Sequence, residues 1–123
     1  MRTIKFRGKD VETGKWRYGY LGDGNLICDW NNNNRHSFEV KATTVGEFTG
    51  LLDKNGKELY EGDIVELREP NGMPNICKVE MCEKGYWCVS FGIHERIILG
   101  FIDKNQITVI GNIHDNPELM KGK

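Results

Sequence analysis

The chain has almost no 3.6-residue apolar period. Short runs instead alternate apolar and polar residues, and each is stopped by a glycine- or asparagine-containing turn after about ten residues. Side chains at every second position share one face of a strand, so this pattern folds as half-buried strands rather than helices. In TIKFRG, Ile4 and Phe6 alternate with Lys5 and Arg7; in WRYGYL, Trp16, Tyr18 and Tyr20 alternate with Arg17, Gly19 and Leu21. In ICKVEMC, Cys77, Val79 and Met81 fall together, as do Trp87, Val89 and Phe91 in WCVSF. Fifteen glycines against three prolines, spread along 123 residues, read as many tight turns and not as disorder. The fold class is therefore all-β.

The turns set the expected outline. Asn55-Gly56 fits the central pair of a type I′ turn, where both residues take positive φ. Lys84-Gly85 reads as a second two-residue turn, and NNNNRH, Asn31 to His36, as a loop tip. Five short strands are expected between Asp63 and Ile113, including one apolar strand from Arg96 to Ile102 bent at Gly100. That count and spacing point to a small SH3-like barrel from about residue 60 onward, with an N-terminal β-hairpin unit packed on it. The expected division is 1–50 and 51–123, unless the two are one intertwined domain. In DNPELM, Asn116 is placed to cap and Pro117 to start a short C-terminal helix.

Chemistry-bearing patterns are sparse. MRTIKFRGKD lacks an apolar leader core and nothing downstream approaches 18 consecutive apolar residues, so a cytoplasmic protein without membrane spans is expected. Its four cysteines then read as free thiols. No C-x-x-C occurs; with a two-residue turn at Lys84-Gly85, Cys82 and Cys88 point to opposite faces, while Cys77 and Cys88 stand too far out of step to bond. His36, His94 and His114 read as surface residues. Glu61 and Asp63 flank Gly62 and, with Asp53 and Lys54, read as turn residues rather than a metal site. No glycine pattern suits a nucleotide. Catalytic, metal and cofactor sites are thus all expected to be absent, and the chain is read as a non-enzyme.

What remains is aromatic and basic. Net charge is −1, yet residues 1–20 hold six Lys/Arg against two Asp/Glu. Trp16, Tyr18 and Tyr20 form one stripe beside Lys15 and Arg17, and Trp30 adjoins the asparagine run. Such a stripe packs a β unit on its neighbour or contacts a partner. The leading reading is an interaction protein that binds another protein or itself through Trp16, Tyr18, Tyr20 and Trp30, with a homo-oligomer expected. The alternative is a nucleic-acid-binding module using Lys5, Arg7, Lys15, Arg17 and the stacked aromatics.

Three blocks carry a resemblance: TIKFRGKDVETGKW, TGLLDKNGKELYEGDIV and VIGNIHDNPELM. In this order they resemble the YopX family of phage and prophage proteins, and the middle block is the most specific. The regions Ile27–Glu47 and Arg68–Ile93 depart from the pattern. The resemblance implies a β-rich fold, a phage or prophage origin and expression in a bacterial cytoplasm. It implies no catalytic residues and no mechanism.

Overall fold

The computed structural model describes residues 4–31, 34–68, 72–91 and 95–120. Among them are eleven strands: β1 (Phe6–Lys9), β2 (Trp16–Leu21), β3 (Leu26–Asn31), β4 (Asn34–Glu39), β5 (Gly46–Leu52), β6 (Glu58–Tyr60), β7 (Asp63–Leu67), β8 (Asn75–Met81), β9 (Trp87–Phe91), β10 (Glu95–Ile98) and β11 (Ile107–Asn112). They form a six-stranded sheet, ordered β4-β3-β2-β1-β5-β6, and a five-stranded sheet, ordered β10-β9-β8-β7-β11. The resolved pairings are antiparallel. The chain divides into two compact units, Met1–Gly50 and Leu51–Lys123.

In the first unit β1 lies between β2 and β5, with Arg7 opposite Tyr18 and Lys9 opposite Trp16. The asparagine run is more ordered than its composition predicts. Asn34, Arg35 and His36 belong to β4 and pair with Asn31, Trp30 and Asp29 of β3, in place of the expected loop; residues 32 and 33 lie outside the described residues. Partner strands override weak local propensity here.

The second unit is built on a cluster of Leu59, Val65, Leu67, Cys77, Val79, Val89, Leu99 and Ile107, each at most 2% exposed. At roughly 1.5–3 kcal/mol per buried aliphatic side chain, this cluster is its main source of stability. Among the described residues the expected closed barrel is not formed: β10 and β11 stand at opposite edges of the five-stranded order. Leu99 is buried in the core and Leu99–Phe101 form a 3-10 turn, so the strand expected to reach Ile102 ends at Ile98. Asp103 caps a second 3-10 turn, Lys104–Gln106, by accepting from the Asn105 N–H at 2.9 Å.

The C-terminal helix is also corrected. Pro117–Met120 is a single 3-10 turn, and among the described residues there is no α-helix. Instead of capping forward, the Asn116 Oδ1 accepts backward from the Asn112 N–H at 3.2 Å, and the Leu119 N–H donates to the Asn116 carbonyl at 3.1 Å.

The acidic stretch between Asp53 and Asp63 is turn chemistry, and two of its carboxylates are buried. Asp63 Oδ2 accepts from the Tyr60 N–H at 2.8 Å. Asp53, 2% exposed, accepts through Oδ1 from Asn55 N–H at 2.9 Å and Lys57 N–H at 2.8 Å. Its Oδ2 accepts from Val109 N–H on β11 at 3.0 Å. These bonds shape the turn. The Gly56 N–H donates to the Asp53 carbonyl and the Asp53 N–H to the Lys57 carbonyl, making a three-residue loop with Gly56 at φ 81° in place of the expected two-residue type I′ turn. The Cys82–Tyr86 turn repeats that geometry, with Gly85 at φ 92°.

Burial by itself pushes the Asp53 carboxyl up, but the Val109, Lys57 and Asn55 N–H groups outweigh it and hold the group below its ordinary 3.8. A depressed folded pKa contributes stability above the unfolded value, about 4, and that contribution disappears as pH falls through the folded value. Asp53→Ala is therefore expected to lower unfolding free energy by about 3 kcal/mol at neutral pH, since three amides lose a charged acceptor. Urea unfolding of both proteins should show the gap narrowing toward low pH. A loss under about 1 kcal/mol, or a gap independent of pH, would refute this role.

Candidate functional site

The basic N-terminal segment is basic for a structural reason. Four of its cations lie over aromatic rings of the same unit. The Arg7 guanidinium carbon is 4.6 Å from the Trp16 ring centroid and Lys9 Nζ 5.7 Å from it, so that indole carries two cations. Lys5 Nζ is 5.3 Å from the Phe48 centroid. Arg17 lies 3.9 Å from the Phe38 centroid and also forms an ion pair with Asp10 at 3.0 Å. Each stack contributes roughly 0.5–2 kcal/mol according to its desolvation. Arg7 itself is buried.

Asp10 in turn shapes the β1–β2 hairpin. Its Oδ1 accepts from the Glu12 N–H at 2.8 Å and the Thr13 N–H at 3.3 Å, and its Oδ2 from Arg17 Nε at 3.0 Å. The Glu12 N–H foremost, with Arg17 and Thr13, holds this carboxyl below its ordinary range against desolvation.

The sequence-expected contact residues thus separate. Trp16 is half-buried under its cations and Arg17 is tied to Asp10 and Phe38, whereas Lys15 is exposed. Tyr18 and Tyr20 are 45% and 59% exposed. Trp30 pairs with Arg35 along β3–β4; its side chain lies outside the described residues. The two tyrosines line a groove of about 450 Å³ with Ile4, Lys5, Gly19, Cys28 and Asp29. Gly19 permits this close approach of β2 and β3, because a Cβ at that position would collide with the Cys28 carbonyl oxygen.

Sequence reasoning missed Cys28. The register places it opposite both Tyr20 and Ser37, and a lone cysteine in LICDW gives no sign of that. Its sulfur lies 3.5 Å from the Ser37 hydroxyl and 3.4 Å from an Arg35 guanidinium nitrogen. The Ser37 hydroxyl, then Arg35, pull the thiol below its ordinary 9.0 despite burial, whereas burial pushes Cys77 up to about 11. Among the described residues no group of three His, Cys, Asp or Glu side chains is placed to hold a metal ion. His36 is exposed on β4 and His114 half-buried after β11, while His94 lies outside the described residues. Among the described residues no helix is long and apolar enough to cross a membrane.

A family model described as YopX protein matches residues 5–121. The fold is similar to that of the crystal structure of protein EF1440 from Enterococcus faecalis, at 21% identity and a TM-score of 0.59, covering 98% of this chain and 100% of that one. It is also similar to protein yopX from Bacillus subtilis, at 22% identity and a TM-score of 0.61, covering 100% and 99% respectively. No curated protein matches the chain significantly.

The Cys28 surroundings give a directional test. With a small alkylating reagent and peptide mass spectrometry across pH, Cys28 is expected to react at lower pH than Cys77. Ser37→Ala and Arg35→Gln should each move the Cys28 midpoint upward. Midpoints unchanged in both variants would show that these neighbours do not stabilise the thiolate.

Proposed function

The chain belongs to the YopX family, and from that membership we propose that it is a phage- or prophage-encoded interaction protein of the bacterial cytoplasm. In this reading it is not an enzyme, and it holds a protein partner or a second copy of itself through the Tyr18–Tyr20 face. One observation carries the proposal. Tyr18 and Tyr20 stay exposed beside the groove, while the cations around them rest on rings and on Asp10. An exposed aromatic pair with an apolar neighbour, Ile4, suits a protein surface: large rings gain contact area with few torsions to freeze.

β4 adds to this, since it ends the six-stranded order, and an edge strand offers backbone groups for strand addition. In the second unit, β11 lies beside β7, the first strand of its sheet, and a 3-10 turn leads into β11; this order supports an SH3-like reading of that sheet.

Nucleic-acid binding is the weaker reading. It needs cations facing outward, and Arg7 is buried while Arg17 is paired.

Light scattering over a concentration series is expected to find a self-associated species, or affinity capture a specific protein. Tyr20→Ala should weaken that complex about tenfold or more, equivalent to ~1.4 kcal/mol. A chain that stays monomeric, with any captured protein held equally well by the Tyr18→Ala and Tyr20→Ala variants, counts against the proposal. Salt-sensitive oligonucleotide binding lost in Arg17→Ala would instead favour the nucleic-acid reading.

A further inference from the structure

We propose that Cys82 and Cys88 constitute a dithiol redox site, which closes to an intramolecular disulfide on meeting a small-molecule disulfide. The β8–β9 turn creates it. Because the loop holds three residues, Glu83, Lys84 and Gly85, the Cys82 N–H donates to the Tyr86 carbonyl, Met81 pairs with Trp87 and Glu80 with Cys88. Cys82 and Cys88 become diagonal neighbours on one sheet face, their sulfurs 2.8 Å apart. A slip of one residue, as in the two-residue turn expected from the sequence, sends them to opposite faces. A disulfide bond of about 2.05 Å asks the sulfurs to approach by less than ~1 Å.

The other cysteines are placed differently. Cys77 lies in the aliphatic core with Val79 and Val89, its sulfur 3.8 Å from the Asn75 carbonyl. Cys28 belongs to the first unit, between Ser37 and Arg35.

Exposure divides the roles. Cys82 is half-buried and meets the reagent first; Cys88 is buried. Burial, then the Cys82 hydrogen bond and the nearby Cys82 and Glu80 charges, push the Cys88 thiol up to about 12 against the pull of Arg96, which keeps it from reacting first. In the first step the Cys82 sulfur, having given its proton to solvent, attacks one sulfur of the small disulfide. That S–S bond breaks, and one small thiolate leaves and takes up a proton. In the second step Cys88 loses its proton and attacks the Cys82 sulfur of the mixed disulfide, releasing the second small thiol. The two cysteine sulfurs have given up two electrons, and the small disulfide has become two thiols.

The test exposes the reduced full chain to oxidised glutathione, quenches with acid, and reads intact and peptide masses. The wild type is expected to lose the mass of two hydrogens, to retain no glutathione, and to yield a Cys82–Cys88 cross-linked peptide with Cys28 and Cys77 still alkylatable. Cys88→Ser, which cannot complete the second step, should retain about tenfold more glutathione on Cys82 at equal time. An unchanged wild-type mass, glutathione retained equally by both proteins, or a cross-link through Cys28 or Cys77 overturns the proposal.

If Cys88→Ser does not fold, phenylarsine oxide replaces it, because a trivalent arsenical bridges two close thiols. It should protect Cys82 and Cys88 together from alkylation in the wild type but leave Cys88 unprotected in Cys82→Ser. Cys82 and Cys88 remaining alkylatable in the wild type in its presence overturn the proposal equally.

Discussion

One carboxylate joins two distant parts of the second unit. Asp53 accepts from two amides of its own turn and from Val109, 56 residues further along, on the last strand of the five-stranded sheet. A buried anion is tolerated only when hydrogen bonds replace its water, and three backbone donors do that here. The same contact fixes the turn leading into β6 and the position along β11 at which the chain is held. Leu59 of β6 and Ile107 of β11 both belong to the core cluster, so it secures two of that cluster's contributors at once.

The sequence made the all-β class legible because strand periodicity depends only on which residues alternate. It made the turn positions legible too, since glycines mark them. It did not reveal loop length. Asn55-Gly56 and Lys84-Gly85 suit two-residue turns by composition, yet both glycines close three-residue loops. At Asp53 the side chain's own bonds to Asn55 and Lys57 favour the longer loop, and composition alone does not weigh that contribution. The C-terminal helix failed for a related reason: Asn116 takes a partner that local pattern does not reveal.

The aromatic stripe shows the same division. Its alternation was readable, but that Tyr18 and Tyr20 stay exposed rather than packing on a neighbour was not. Which rings were already engaged was not, because Arg7 and Lys9 reach Trp16 only through the β1–β2 register. A twenty-residue segment with six basic residues suggests an anionic partner when read as a list. Once paired, it is substantially a set of cations packed on rings. The Cys28 neighbourhood needed a third strand, β4, to bring Ser37 and Arg35 alongside.

The β8–β9 turn sharpens the point. At Asp10 and Asp53 the first residue of the hairpin turn is aspartate, whose carboxylate accepts from the following amides. At Cys82 the same position carries a thiol, a poor acceptor, and the turn is held by backbone bonds between Cys82 and Gly85 and between Cys82 and Tyr86. An aspartate there would cap the loop better, by the logic of its two counterparts. Cysteine forgoes that capping, and its side chain is directed to Cys88 instead. The local choice is unfavourable for the turn and favourable for sulfur chemistry. That conflict between levels is what a reactive pair, rather than an indifferent surface residue, would leave in a sequence.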